Sequence, residues 1–320
     1  MDIKWDCFTH ESDFVFGNQT NQILEQLKQL GKLHEDENGR LYVDLTGYDI
    51  PTKSPVLVLT REDKTSLYPL RDIAYTISKI EKNRENNFIV LGEDQEVYMK
   101  QIQAVLDILG YPAPQLISYD FVLLNGDKMA TREGKVVLLE DFIEKAKTKL
   151  SNTFEEKGSI LSGKQLTDLA ASCIKYNMLN VNRKKTVNFN LEAATDFQGN
   201  SAIYLLYSYV RINSILKKAN CQYHNIQNYQ LDTEIEHSLI NSLYDFPEVI
   251  DTAFHTKESV IITTYLYNLA QKFSKYYENV PILTETDENT KMSRLALLNA
   301  IQIVLANGMK VLGMKLIDKI

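Results

Sequence analysis

The hydrophobic period changes partway along the chain, and this restricts the folds open to it. Up to about residue 135, the short apolar runs "PVLVLT" (55–60), "NFIVLG" (87–92) and "QLISYDFVLL" (115–124) alternate with segments whose apolar residues recur at helical spacing. One such segment, residues 18–31, opens on Asn18, carries Ile23, Leu24, Leu27 and Leu30 at that spacing, and stops at Gly31. Asn38-Gly39 signals a tight hairpin turn into "LYVDL" (41–45). Further helices are expected over about 69–82 and 95–109, the second closed by Gly110 and Pro112. Strands separated by amphipathic helices point to a parallel sheet covered by helices. From about residue 190 only the helical period remains, in four or five segments, which points to a bundle. Residues 136–189, rich in Lys, read as a connector with short helices. The expected architecture is therefore α/β followed by all-α, with domains at 1–135 and 190–320 joined by 136–189.

With 320 residues, 44% hydrophobic and 24% charged, the chain has apolar material for two domains with separate cores. No apolar run approaches the roughly 20 residues of a membrane helix, and no basic stretch precedes an apolar core at the N-terminus. No membrane partner is expected, and the expected compartment is the cytoplasm. Cys7, Cys173 and Cys221 lack C-x-x-C spacing and a nearby His pair. They support neither a disulfide framework nor a metal site, and each reads as a buried reduced thiol. A net charge of −7 argues against polyanion binding over the whole surface, but leaves local basic patches such as "NRKK" (182–185) and Lys217–Lys218.

In an open parallel sheet, ligands collect beyond the carboxyl ends of the strands, where loops and helix N-termini supply donors and fixed charge. Residues 58–72 and 90–95 leave predicted strands in this way. Tyr68 lies one turn before Asp72, and Asp72 either complements a helix dipole or presents a carboxylate able to grip a guanidinium through two hydrogen bonds. Gln95 either starts its helix or offers its amide to an α-amino group or an adenosine hydroxyl. The polar stretch between Gly126 and Gly134 reads either as a surface turn or as a hinge whose Lys128 ammonium meets charge on a leaving pyrophosphate. In "IYLLYSYVRINSIL" (203–216), Ile203, Leu206 and Val210 can face a core, while Tyr204, Ser208, Arg211 and Ile215 form a second stripe. Tyr204 and Tyr207 are either core aromatics or, beside Arg211, platforms for unstacked RNA bases.

The segments "LYPLRDIAY" (67–75), "GEDQ" (92–95), "KMATREGKVVLLEDF" (128–142) and "NSAIYLLYSYVRINSIL" (200–216) stand in the order and at the spacing of arginyl-tRNA synthetases, a class I family that the chain resembles from "DCFTHES" (6–12) to "VLGMKLI" (311–317). The resemblance implies the second half of a Rossmann-like catalytic domain followed by a helical-bundle anticodon-binding domain. It implies an arginine–tRNA ligase that consumes ATP, accompanied by magnesium, with no tightly bound cofactor. Substrate contacts would come from Tyr68, Asp72 and Gln95, ATP contacts from Gly92, Lys128 and Met129, and catalytic charge from Lys128 and Arg132. RNA contacts would come from Tyr204, Tyr207 and Arg211. The family's K-M-S-K-S signature, K-M-S-T-R-K-G in some members, stands here at 128–134 with Ala130 in place of Ser and Glu133 reversing a charge; Arg132 and Lys135 leave the loop net positive. A second "KMSRL" (291–295) falls within a helical pattern of Leu295, Leu298 and Ile301 and reads as a decoy.

The family's other signature, H-I-G-H, has no counterpart among His10, His34, His224, His237 and His255. The chain is thus expected to be the C-terminal part of such an enzyme, inactive alone, its remaining half lost or supplied separately. Its expected partners are arginine, ATP, tRNA and that missing half. The competing expectation is a stand-alone RNA- or amino-acid-binding module without ligase activity.

Overall fold

In the computed structural model the described residues are 1–82, 86–124, 126–128, 138–220 and 229–317, with backbone alone for 127 and 128. They form two compact units, residues 2–120 and residues 121–320 with Met1.

The first unit begins with helices α1 (Glu11–Phe16) and α2 (Gln19–Gln29) and the strands β1 (Leu33–Glu35), β2 (Leu41–Asp44) and β3 (Val56–Val58). Helix α3 (Tyr68–Glu81), strand β4 (Phe88–Gly92), helix α4 (Glu96–Ile108) and strand β5 (Gln115–Tyr119) complete it. Gly39, at φ +81°, turns the chain between β1 and β2, and β1–β2–β3 is an antiparallel meander. The expected parallel pairing is confined in this unit to β4 and β5, which run in register from Phe88–Gln115 to Gly92–Tyr119 with α4 as crossover. Pro69 starts α3, where its missing N–H costs nothing. Ile23 and Leu27 of α2, Leu70 and Ile73 of α3, Ile102 and Leu106 of α4, and Val43 and Leu57 of the meander close one core.

The second unit opens with β6 (Val122–Leu124) and β7 (Asp127–Lys128), and a third strand, β8 (Val187–Phe189), pairs parallel to β6. "QLISYDFVLL" is therefore two strands in two units, broken at Asp120. The rest is helical: α5 (Leu139–Glu156), α6 (Gly163–Leu179), α7 (Leu191–Ala194), α8 (Ala202–Ala219), α9 (Glu234–Thr256), α10 (Val260–Asn279) and α11 (Glu288–Val311). The helices α5 and α6 are long rather than short. Their Leu150, Phe154, Leu169 and Tyr176 share one core with Leu206 of α8, Leu269 and Phe273 of α10, and Leu298 and Ile301 of α11. A Cβ added to Gly308 would stand 2.5 Å from Leu266 Cδ2, so glycine is what lets α11 approach α10 this closely.

Two further expectations are corrected. Cys7 is exposed, whereas Cys173 is buried among apolar groups that push its thiol up to about 12; Cys221 lies outside the described residues. Tyr204, Ser208, Arg211 and Ile215 do not share one open face, because Ser208 and Ile215 are buried. Among the described residues no helix is long and apolar enough to cross a membrane.

Candidate functional site

Helix α3 carries Asp72 in its second turn, against Tyr98 in the first turn of α4. The Tyr98 hydroxyl of α4 donates to Asp72 Oδ2 at 2.5 Å, and the Tyr98 ring lies against Tyr68 with centroids 5.1 Å apart. Partial burial pushes the Asp72 carboxyl above its ordinary value; the Tyr98 bond opposes this and the nearby Glu11 adds to it. Burial first, and the bond to Asp72 second, push the Tyr98 phenol up. Among the described residues no cation lies within ion-pair distance of Asp72.

Next to Asp72 is a cavity of about 110 Å³ bounded by Thr9, Glu11, Phe14, Arg71 and Tyr75. Arg71 does not occupy Asp72: its Nε donates to Glu11 at 2.6 Å and its Nη1 to the Ser66 carbonyl at 2.6 Å. Lys79 forms no ion pair with it, its ammonium lying 4.4 Å from the Tyr75 ring centroid, but its charge and that of Arg71 are near enough to favour the ionised carboxylate. The cavity thus presents a carboxylate oriented by a phenol and, among the described residues, in no direct ion pair, a geometry suited to a planar cation. Gln95 stands at the N-cap of α4 but does not cap it; its amide donates to Asp94 Oδ2 at 2.9 Å. Gly92 ends β4 at φ −62°, a conformation open to any residue.

Lys128 belongs to the other unit, where β7 pairs it with Leu123 and the Gly126 amide donates to Asn188 Oδ1 at 2.8 Å. Met129 and Arg132 lie outside the described residues. In the same unit, α8 exposes Tyr207, whose hydroxyl accepts from Arg211 Nη2 at 3.0 Å. The Arg211 guanidinium lies 4.7 Å from the Tyr207 centroid and 5.0 Å from that of Tyr277 in α10. Beside it opens a cavity of about 300 Å³ whose walls include Ser214, Lys218, Tyr277 and residues 280–284. Tyr204 is turned inward, its hydroxyl 3.1 Å from Ser274 Oγ and its ring against Tyr267. Of the basic stretch 182–185, Arg183 is tied to Glu258 at 3.3 Å.

Tyr98, Glu11 and Tyr277 were not singled out from the sequence. Tyr98 follows Gln95 by one turn of the same helix, which would have placed it on the same side. Nothing local marks Glu11 or Tyr277, whose roles come from contacts across the chain.

Residues 2–191 match the family model "tRNA synthetases class I (R), catalytic domain", and residues 205–320 match "DALR anticodon binding domain". An arginine–tRNA ligase of Methanococcus maripaludis is 31% identical over 324 residues, covering 100% of this chain and 56% of the relative. That of Methanocaldococcus jannaschii is 32% identical over 317 residues, with 98% and 54% covered. The chain thus spans about half the length of the curated relatives it matches. The arginyl-tRNA synthetase structure of Thermus thermophilus superposes with a TM-score of 0.86 at 24% identity over 97% of this chain and 59% of that one, a likeness of fold.

Proposed function

Since the chain belongs to the arginyl family of class I tRNA synthetases, we propose that it supplies the arginine pocket, the pyrophosphate loop and the anticodon-binding bundle of an arginine–tRNA ligase. The observation that carries this reading is the Asp72 carboxylate, oriented by Tyr98 and open to a small cavity whose one arginine, Arg71, is paired with Glu11. The reaction begins when the arginine carboxylate attacks the α-phosphorus of ATP and pyrophosphate leaves; a ribose hydroxyl at the tRNA terminus then takes the arginyl group from AMP. Asp72 receives the guanidinium, Tyr68 packs against it, and the Gln95 amide holds the α-amino group. Lys128 and Arg132 meet the charge that grows on the leaving pyrophosphate, an interaction worth most in the transition state. Gly92 and Met129 are assigned to ATP contacts by the family motifs they belong to. The magnesium that travels with ATP belongs to the substrate. Tyr207 and Arg211 form the face for unstacked anticodon-loop bases, with Tyr204 supporting it from the side of α10.

A non-catalytic RNA- or amino-acid-binding module is the second reading, favoured by Ala130 and Glu133 in the signature loop. Arginine-dependent ATP–pyrophosphate exchange with tRNA present, measured on the native protein that contains this chain, separates the two. Exchange abolished by Asp72→Asn supports the ligase, and no exchange under any condition supports the module.

A further inference from the structure

The sequence "KMSRL" at 291–295 lies in the first turns of α11, and its arginine is buried. Arg294 Nε donates to Glu236 Oε1 of α9 at 2.9 Å, and Arg294 Nη1 donates both to the Pro281 carbonyl at 2.7 Å and to Glu285 Oε2 at 2.6 Å. Glu236 is fully buried and fully used: Oε1 also accepts from the Tyr276 hydroxyl at 3.1 Å, and Oε2 accepts from the Thr233 amide at 3.0 Å. Glu285 in turn accepts from the Thr286 amide at 2.7 Å and the Asp287 amide at 3.1 Å.

Of the two outer partners of Arg294, Pro281 belongs to and Glu285 directly follows the residues 280–284 that form one wall of the cavity beside Arg211 and Tyr277. We propose that Arg294 is a positioning residue, anchored on Glu236, that holds this wall at a fixed distance from Arg211 and thereby sets the affinity of the RNA face. The inference rests on the RNA reading of Tyr207 and Arg211. A guanidinium suits this role because one planar group reaches three acceptors on two elements, which the single ammonium of lysine cannot do in the same geometry. Fixing the wall in the free protein removes an ordering cost from binding.

The test keeps the buried pair intact and loosens only its outer end. Glu285→Gln removes the charge that pins the wall and leaves Glu236–Arg294 in place, so the fold survives; Arg294→Lys is the second variant. Hydrogen exchange is followed on the amides of residues 282–287 of the full chain, and affinity is measured for a transcript of an arginine-accepting tRNA in wild type, Glu285→Gln, Arg211→Ala and the double variant. The expected result is about tenfold faster exchange in that segment with the middle of α9, α10 and α11 unchanged. Affinity should fall by about three- to tenfold in Glu285→Gln, and by much less when Arg211 is already Ala. Unchanged exchange in both variants overturns the clamp. Faster exchange with full affinity, while Arg211→Ala weakens binding, overturns the link to RNA and leaves the RNA reading standing. Full affinity in Arg211→Ala itself removes the RNA reading, and with it the inference.

Discussion

The Tyr98 hydroxyl of α4 donates to Asp72 Oδ2 of α3 at 2.5 Å, joining two helices of the same unit. It fixes one carboxylate oxygen and leaves the lone pairs of the other open to a ligand. Tyr98→Phe should therefore weaken arginine binding by roughly 1–2 kcal/mol, about tenfold, without unfolding the unit. Isothermal titration of the variant against wild type reads this directly, and equal affinities would mean that the bond does not orient the pocket.

If Asp72 receives the guanidinium, it should also set the pH dependence of arginine binding. Its carboxyl lies above the ordinary aspartate value, chiefly because of partial burial, and only the ionised form attracts a guanidinium. Affinity for arginine should thus fall as pH drops through that raised value, at a higher pH than an unperturbed aspartate would produce. The stability linkage has the opposite sense to that of a paired carboxylate: the folded unit binds the proton more tightly than the unfolded chain, so ionising Asp72 costs stability as pH rises through this window. At neutral pH Asp72→Asn should leave the melting temperature of the unit unchanged or slightly higher, as expected of a group retained for function. A clear loss of melting temperature would assign Asp72 to the fold instead.

Lys128 is proposed to act on charge that appears only as pyrophosphate leaves. In the native enzyme Lys128→Ala should lower the rate of adenylate formation by about two to three orders of magnitude while arginine binding stays within about twofold of wild type. Single-turnover kinetics separates the two, and equal losses in rate and affinity would make the lysine structural.

The buried Glu236–Arg294 pair links acid stability to the bundle. Burial alone would push the Glu236 carboxyl up, but the Thr233 amide and hydroxyl, Arg294 and Tyr276 together hold it below its ordinary value. A lowered carboxylate contributes stability that is complete above the ordinary glutamate value and lost as pH falls through the lowered one. Acid unfolding followed by helical circular dichroism should therefore steepen below about pH 4.3, the unperturbed glutamate value, and lose that steepening in Glu236→Gln. Arg294→Met, which strands the carboxylate, should cost about 3–5 kcal/mol in urea unfolding.

Tyr207 and Arg211 should give the chain a weak, salt-sensitive affinity for tRNA. If Arg211 neutralises one phosphate, Arg211→Ala should reduce the slope of log affinity against log salt by about one. Tyr207→Ala should cost about 1–3 kcal/mol with the slope unchanged. The inward-turned Tyr204 should matter less to RNA than to the packing of α8 on α10. Salt-independent binding would remove the RNA reading of this face.

The parts of the fold that were legible in the sequence are those fixed locally. Gly31, Asn38-Gly39 and Pro69 mark their turns and helix ends by backbone preference alone, and α2, α3 and α4 fall within two residues of their expected bounds. What was not legible depends on partners far along the chain. The break at Asp120 is invisible in a continuous apolar run, because β5 pairs with β4 while β6 finds its parallel partner at residues 187–189. Helix α5 looks like a polar connector since it buries only Ala146, Leu150 and Phe154, while α6 is buried nearly all round from Leu169 to Tyr176 by partners far along the chain. The sequence placed Asp72 and Arg211 as candidates by residue type and spacing, but could not place Tyr98, Glu11 or Tyr277 beside them.

The most direct measurement is the binding of L-arginine against L-citrulline, which has nearly the same shape but an uncharged side chain, to the 320-residue chain and to Asp72→Asn, followed by chemical-shift titration at neutral pH. If the Asp72 carboxylate is a guanidinium site, arginine binds, citrulline binds about tenfold or more weakly, and the discrimination disappears in Asp72→Asn, with shifts centred on Tyr98, Tyr75 and Glu11. Equal binding of the two ligands, or a preference for arginine that survives Asp72→Asn, would contradict the account.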